Sequence, residues 1–263
     1  MYAFTLEQPK TLADAQRLAA GGAQVLAGGQ TLIASMKQRL LRPEHLVDLG
    51  AIADLRGICM DGKTLVIGAM TRHQDVAANA DVRKHLPGLA ALAEGIGDRQ
   101  VRAMGTMGGS VANNDPAACY PSAVLALGAT VVTDRRQIAA DDFFQGLYTT
   151  ALQPGELITA IRFPVPEKAA YAKFRQPASR FAMLGVFVAK TASGARVAIT
   201  GGGNGVMRHA GLEAALTKSF TPEAVQGVAV DASAFSGDLH ASAAYRAHLV
   251  TVQTQAAVRQ ANG

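Results

Sequence analysis

The feature that most constrains this chain is a pair of adjacent glycines between an apolar run and a helical pattern. AQVLAGG at residues 23–29 predicts a short strand that ends in a turn, because glycine adopts the backbone conformations that tight turns require. TLIASMKQRLL at residues 31–41 predicts a helix that ends before Pro43. Gly28 and Gly29 therefore lie at a predicted strand-to-helix junction.

The flanking segments complete a first unit over residues 1–55. TLADAQRLAA predicts a helix with Thr11 as its N-cap, which Gly21-Gly22 ends. HLVDLG at residues 45–50 predicts a second short strand. Together these patterns indicate a small βαβ-like unit that contains the glycine pair.

Two further units are predicted downstream. Residues 56–167 combine short helices with short strands, including a hairpin at Asp61-Gly62, and end with a strand that prolines terminate. Residues 168–263 predict a small sheet backed by Ala-rich helices. Those helices are predicted over residues 210–217, 222–229 and 241–260.

Composition excludes several classes of protein. Of the 263 residues, 49% are hydrophobic and 17% are charged, which is typical of a globular chain with a buried core. No run approaches the roughly 20 apolar residues that a membrane-spanning helix needs, and MYAFTLEQPK lacks the plan of a signal peptide. We therefore expect a cytoplasmic protein without a transmembrane segment.

Charge and cysteine content narrow the chemistry. The net charge of +5 comes from dispersed basic residues, and only 5% of the residues are aromatic, so no basic stripe with interleaved aromatics indicates nucleic-acid binding. Cys59 and Cys119 form no CxxC pair that could hold zinc or an iron–sulfur cluster. We expect no nucleic-acid partner and no metal site in this chain, so redox chemistry would require an organic cofactor.

Glycine pairs of this kind can serve either a tight turn or a bound phosphate. Without a Cβ atom, the backbone can approach a diphosphate, and the N–H groups at the start of the following helix point towards it. GTMGGS at residues 105–110 has the same composition as the first pair. Hydroxyl groups of Thr31, Thr106 and Ser110 could add donors, so two such segments in one chain favour the phosphate interpretation.

Other motifs point away from a catalytic site of this chain's own. There is no GxxxxGK[ST] sequence, and GGGNGV at residues 201–206 has Val206 where the dinucleotide fingerprint requires glycine, so that segment is interpreted as a turn. The histidines form no HExxH group, and Cys119 has no basic partner nearby in sequence. His73 is interpreted as a helix-start residue, and Asp141-Asp142 as a helix N-cap with a solvated neighbour.

Five segments, in order, carry a resemblance to a known family: LAGGQTLIASMKQRL, LVDLG, IGDRQVRAMGTMGGSVANNDPAA, FFQGLYTTALQPGELI and FRQPASRFAMLGV. The chain resembles the FAD-binding medium subunit of the molybdenum hydroxylases, the carbon monoxide dehydrogenase and xanthine dehydrogenase family. The resemblance covers nearly the whole chain. It implies an α+β fold with a two-part FAD-binding domain of the vanillyl-alcohol-oxidase type, divided at residues 1–55 and 56–167, and a C-terminal domain over residues 168–263.

The resemblance also implies cofactor-binding residues, with the FAD pyrophosphate between the two glycine segments. The first set is Leu26, Ala27, Gly28, Gly29, Gln30, Thr31 and Ile33. The second set is Thr106, Gly108, Gly109 and Ser110, continued along the adenosine or ribityl portion by Ala112, Asp115 and Ala118. Ile158 is expected near the flavin or adenine, Tyr171 over the flavin ring, and Lys173 or Arg175 near the isoalloxazine.

One position departs from the family pattern. Many members carry an acidic residue where this chain has Cys119, so a hydrogen bond to an FAD hydroxyl is either lost or supplied by Tyr120 or Ser122. Glycine should be retained at position 109 even where neighbouring residues change, because a side chain there would occupy the space expected for the phosphate groups.

The function implied by the resemblance is electron transfer without a catalytic residue in this chain. A large partner subunit would carry the molybdenum cofactor and a small partner subunit two [2Fe–2S] clusters, as a dimer of heterotrimers, and the FAD of this chain would reduce an external acceptor. Quinone, NAD, a protein carrier and dioxygen remain open as acceptors. Two alternatives are a self-contained flavin oxidase or dehydrogenase, and an assembly protein that kept the fold and lost FAD.

Overall fold

The computed structural model describes residues 1–263 and begins with a three-stranded parallel sheet. Its strands and helices, in chain order, are β1 (Thr5–Glu7), α1 (Leu12–Ala20), β2 (Gln24–Leu26), α2 (Leu32–Lys37) and β3 (His45–Asp48). Both β1 and β2 pair in parallel with the central β3, and β2, α2 and β3 form the expected βαβ unit. Thr11 caps α1 through its side chain, as predicted.

Helix α2 is shorter than the sequence pattern indicates, since it ends at Lys37 and not at Leu41. Arg39 has a φ angle of 61°, and the N–H groups of Arg39 and Leu40 donate to the carbonyls of Met36 and Ser35. This is the hydrogen-bond pattern of a helix that ends in a left-handed residue. Because an arginine occupies the position that glycine usually takes, this helix end has no local sequence signal.

The second group of elements surrounds a five-stranded antiparallel sheet. Its elements are β4 (Ile58–Asp61), β5 (Thr64–Gly68), α3 (His73–Ala78), α4 (Ala80–His85), α5 (Pro87–Glu94), α6 (Arg99–Met104), α7 (Met107–Asn113), α8 (Tyr120–Ala126), β6 (Thr130–Thr133), β7 (Gln137–Ala139), α9 (Ala140–Phe143), β8 (Phe144–Gly146), β9 (Thr149–Thr150) and β10 (Ile158–Pro164). The strand order of the sheet is β4-β5-β10-β6-β7. The predicted hairpin between β4 and β5 is present, and Gly62 in its turn has a φ angle of 60°.

The third group is the expected small antiparallel sheet with helices. It comprises β11 (Lys168–Arg175), β12 (Ala182–Thr191), β13 (Gly194–Thr200), β14 (Met207–Arg208), α10 (Ala210–Lys218) and α11 (Ala243–Asn262). Helix α11 packs against β11 and β12. The predicted helix over residues 222–229 is wrong, because only a single 3-10 turn forms at Pro222–Val225.

Buried side chains connect the second and third groups. One core of 32 buried residues extends from Leu65 in β5 to Ala198 in β13. Helices α5 and α8 contact strands of the third sheet, and an ideal Cβ atom on Gly88 of α5 would lie 2.8 Å from the Ala169 carbonyl oxygen. The loop before α8 also contacts the third sheet, since the Gly201 N–H and the Thr200 hydroxyl both donate to the Pro116 carbonyl. None of the helices combines the length and the hydropathy that a membrane-spanning helix requires.

Candidate functional site

The two glycine segments lie in direct contact. An ideal Cβ atom built on Gly28 would lie 2.3 Å from the carbonyl oxygen of Met104 and 2.7 Å from Cα of Gly105. One built on Gly109 would lie 3.4 Å from Cβ of Ala27. Only glycine at position 28 allows this approach of the two backbones, so the structure brings together the two segments that the sequence separates by about 80 positions.

A cavity of about 430 Å³ opens where the segments meet. Its lining includes predicted residues of the first set, Thr106 of the second set, and residues that were not predicted from the sequence. The predicted lining residues are Leu26, Ala27, Gly28, Gly29, Ile33 and Thr106. The others are Gln8, Asp48, Gly50, Ala51, Arg56, Met70, Arg72 and Met104.

The first glycine segment offers unused hydrogen-bond donors. The backbone N–H groups of residues 27–32 donate to no acceptor within the protein, and Thr31 makes no side-chain capping bond. Gly29 holds a φ angle of 71°, which reverses the backbone between β2 and α2. Consecutive free N–H groups at such a turn form a site for an anion.

The second glycine segment differs from the first, because it is the beginning of a helix and not a turn between a strand and a helix. Helix α7 starts at Met107, and Thr106 caps it by accepting from the Gly109 N–H at 3.2 Å. The N–H groups of Met107 and Gly108 donate to the carbonyls of Thr71 and Ala69. The N–H groups at this helix start are therefore already used within the protein.

Gly108 and Gly109 have separate structural roles. Gly108 is buried, and an ideal Cβ atom there would lie 2.5 Å from Cβ of Ala69, so this glycine permits close packing of α7 on the segment after β5. Gly109 is half-buried and faces Ala27 of the first segment. Of these two glycines, only Gly109 thus lies against the first glycine segment.

His73 contacts the second glycine segment at Gly105. It begins α3 as predicted, is 5% exposed, and its N–H donates to the Gly105 carbonyl. Burial, and secondly the charge of Arg102, lower the pKa of His73 to about 4. The His73 ring packs against the Tyr120 ring at a centroid distance of 5.3 Å. A neutral imidazole therefore lies next to Gly105.

Asp115 lies in a second cavity, of about 360 Å³, between the loop before α8 and the third sheet. Tyr148 and Phe181 also line it and are 57% and 49% exposed. Its inner wall contains Arg246, which is 6% exposed and pairs with Asp238. Neither aromatic side chain has a sequence neighbour that indicates a site, so sequence reasoning missed both.

Cys119 has a basic partner that is distant in the sequence, Lys173 of β11. The Nζ atom of Lys173 lies 3.4 Å from its Sγ atom and also donates to the carbonyls of Gly95 and Arg180. Arg175, the competing residue, is exposed at the end of β11. Lys173 is therefore the residue of the two that faces the loop before α8.

Several predicted residues line neither cavity. Tyr171 is 8% exposed and stacks on Phe187, and burial raises the pKa of its hydroxyl group. Ile158 is 6% exposed in the large core. The other predicted residues outside both cavities are the buried Gly108 and the half-buried or exposed Gln30, Thr31, Gly109, Ser110, Ala112, Ala118 and Lys173.

The proposed substitutes for the missing acidic group are enclosed. Tyr120 and Ser122 are both fully buried, and the Ser122 hydroxyl donates to the Cys119 carbonyl at 2.7 Å. The hydroxyl of Tyr120 has no partner. Neither side chain is open to a ligand, so the structure does not support this substitution.

The prediction that Asp141-Asp142 provides a helix N-cap is wrong. The N-cap of α9 is Ala139, and the Asp141 carboxylate instead pairs with Arg196 at 2.9 Å and Arg208 at 3.1 Å. These arginines lie on β13 and β14, so the ion pairs join the second and third groups of elements. Desolvation opposes the shift, but the hydrogen bonds and charges of the two arginines lower the pKa of Asp141.

Comparison with known proteins gives consistent matches over most of the chain. The sequence model of a family described as FAD binding domain in molybdopterin dehydrogenase matches residues 2–166. The chain is 37% identical over 262 residues to the carbon monoxide dehydrogenase medium chain of Hydrogenophaga pseudoflava, covering 92% of this chain and 91% of that protein. It is 42% identical over 203 residues to the carbon monoxide dehydrogenase medium chain of Afipia carboxidovorans, covering 73% and 70%.

Solved structures agree with the sequence matches. The chain superposes on a chain of a cyanide-inactivated Cu,Mo-CO dehydrogenase with a TM-score of 0.90 and 34% identity, covering 99% of this chain and 98% of that one. It superposes on a chain of quinoline 2-oxidoreductase from Pseudomonas putida 86 with a TM-score of 0.88 and 26% identity, covering 99% and 97%. The fold of the whole chain is therefore shared with these proteins.

Proposed function

The chain belongs to the family of FAD-binding medium subunits of the molybdenum hydroxylases, and from this premise we propose that it carries FAD as an electron-transfer subunit. In this proposal the FAD pyrophosphate lies between the two glycine segments. This chain would hold the flavin, through which electrons from the [2Fe–2S] clusters of a small partner subunit could reach an external acceptor. Substrate hydroxylation belongs to a large partner subunit with the molybdenum cofactor.

The observation that carries the proposal is the row of free N–H groups at residues 27–32 beside a cavity of about 430 Å³. A pyrophosphate is an anion with several acceptor oxygens, and these donors have no other partner in the protein. Gly28 and Gly109 add no side chain of their own where the two segments meet. The residues present therefore fit the dinucleotide.

The chain's residues bind and orient the cofactor, and FAD supplies the redox chemistry when bound. We assign the pyrophosphate to Ala27, Gly28 and Gly29 with Thr106 and Gly109 opposite. Leu26 and Ile33 enclose it from the apolar side. The rest of the predicted set is Gln30, Thr31, Gly108, Ser110, Ala112, Asp115, Ala118, Ile158, Tyr171 and Lys173.

The assembly proposed is a dimer of heterotrimers with the large and small subunits, as the likeness to carbon monoxide dehydrogenase medium chains suggests. We propose functional units at residues 1–55, 56–167 and 168–263. Both cysteines are free thiols, which fits a reducing compartment and supports a cytoplasmic complex.

The test is to purify the full chain with its native partners and to measure flavin, iron and molybdenum per complex. The proposal expects one FAD bound to this chain. It also expects the flavin absorbance to be bleached by substrate in the complex, but not in the isolated FAD-loaded chain. An isolated chain that oxidises substrates by itself would favour the self-contained oxidase. A complex without flavin would favour an assembly protein.

A further inference from the structure

Arg72 stands at the junction of the two glycine segments. Its backbone forms an isolated antiparallel bridge with Thr106, and its half-buried side chain lines the cavity that also contains Gly28 and Gly29. Arg56 lines the same cavity but donates to the Gly50 carbonyl at 2.6 Å. The guanidinium of Arg72 has no acceptor within the protein, so it is the uncommitted cation of this cavity.

The charge balance of the cavity favours an anion beside Arg72. The lining includes one carboxylate, Asp48, whose two oxygens already accept from Gln8 and from the N–H of Gly50. Two arginines face this one engaged carboxylate. A guanidinium left half-buried without a partner is unfavourable unless an anion or water completes its hydrogen bonds.

The second glycine segment needs such a cation. The N–H groups of Met107 and Gly108 donate to the carbonyls of Thr71 and Ala69, and that of Gly109 donates to the Thr106 hydroxyl. The second glycine segment therefore has few backbone donors left for a ligand. Arg72 belongs to the segment of residues 69–72, whose backbone carbonyls accept hydrogen bonds from the start of α7. Its guanidinium therefore supplies further donors on the side where the backbone supplies few.

We propose that Arg72 binds the diphosphate of the nucleotide and is a positioning residue for the cofactor. The inference rests on the proposed function, because it assigns a contact within that site. An Arg–phosphate pair is charge-assisted and can be bidentate, so its removal should weaken diphosphate binding about 10- to 100-fold. The free N–H groups at residues 27–32 would hold the opposite oxygens.

The experiment measures the dissociation constants of FAD, ADP and riboflavin for the full chain after removal of its flavin. ADP carries the diphosphate without the flavin, and riboflavin carries the flavin without any phosphate. Arg72→Gln should weaken FAD and ADP by similar factors and leave riboflavin unchanged. Arg72→Lys should restore part of the affinity, since it keeps the charge but loses the fork of donors.

The matched control is Arg99→Gln, which removes the same charge from an exposed arginine at the start of α6. Thermal unfolding of the flavin-free variants checks that each is folded. The inference is contradicted if Arg72→Gln weakens FAD no more than Arg99→Gln, or if riboflavin is weakened as much as ADP. If the wild-type chain binds no FAD, the proposed function itself fails.

Discussion

Lys173 and Cys119 are in contact, with Nζ and Sγ 3.4 Å apart, although 54 positions separate them in the sequence. The same ammonium group also donates to the carbonyls of Gly95 and Arg180. Lys173 therefore ties strand β11 to the end of α5 and to the loop before α8. Because of these contacts, position 119 is suited to test whether the chain tolerates an acidic residue there.

Cys119→Asp should be tolerated while Lys173 is present. Cys119 is 6% exposed, and the new carboxylate would gain a neighbouring ammonium group in exchange for its lost hydration. We expect the free energy of unfolding to change by less than about 1.5 kcal/mol in Cys119→Asp. The Cys119→Asp/Lys173→Met double variant should lose about 3–5 kcal/mol, since it leaves a buried charge without a partner.

Urea unfolding of both single variants and the double variant measures this coupling as a double-mutant cycle. Arg175→Met is the control, since it removes an exposed cation from the same strand. Additive effects of Cys119→Asp and Lys173→Met would show that the contact has no energetic role.

His73 should make stability depend on pH between about 6.5 and 4. Its pKa is lowered to about 4 in the folded protein, chiefly by burial, from 6.5 in the unfolded chain. The unfolded state therefore binds more protons in this window, so the free energy of unfolding is highest above 6.5 and falls as the pH decreases. His73→Leu should flatten this part of the curve in chemical unfolding series. An unchanged slope would show that His73 titrates normally.

Glu156 should make the free energy of unfolding depend on pH in a lower range, between about pH 4.5 and pH 2. A hydrogen bond from Arg136 is the largest cause that lowers its pKa from 4.5 to about 2, with further bonds from Gln153 N–H and Thr133, while desolvation opposes the shift. A lowered carboxyl pKa stabilises the folded state above 4.5, and this stability is lost as the pH falls towards 2.

Glu156→Gln tests the second window. The Glu156 side chain has no exposed surface, so its loss at neutral pH should reduce the free energy of unfolding by about 2–3 kcal/mol. The decline below 4.5 should become shallower in the variant. Glu167→Gln, which alters an exposed ion pair with Lys190, should change stability by less than about 1 kcal/mol.

The sequence was sufficient for the strand-to-helix junction at Gly28-Gly29, because a glycine turn between periodic segments is a local signal. It was insufficient for the second segment. Thr106, Met107 and Gly108 resemble a loop, yet they begin a helix whose first N–H groups are satisfied by residues 69–71. Bonds between distant segments leave no periodicity in either of them.

The same limitation explains the residues that were missed or misassigned. Arg72 belongs to a helix-start pattern in sequence, and only its bridge to Thr106 brings it to the glycine segments. Asp141 has the local appearance of a helix cap, but its partners are 55 and 67 positions away. Such ion pairs depend on how the second and third groups pack, which local patterns do not encode.

The central claim is that FAD lies between the two glycine segments, and Gly109→Val tests it most directly. A side chain at this position would enter the space beside Ala27 and the Thr106 hydroxyl, while glycine within a helix contributes little to stability. Gly211→Val, in the first turn of α10, is the control.

The measurement is the flavin content per chain of the purified variants, with circular dichroism to verify the fold. We predict that Gly109→Val is folded and contains almost no flavin, whereas Gly211→Val retains the wild-type content. A folded Gly109→Val protein with a full complement of FAD would contradict the account.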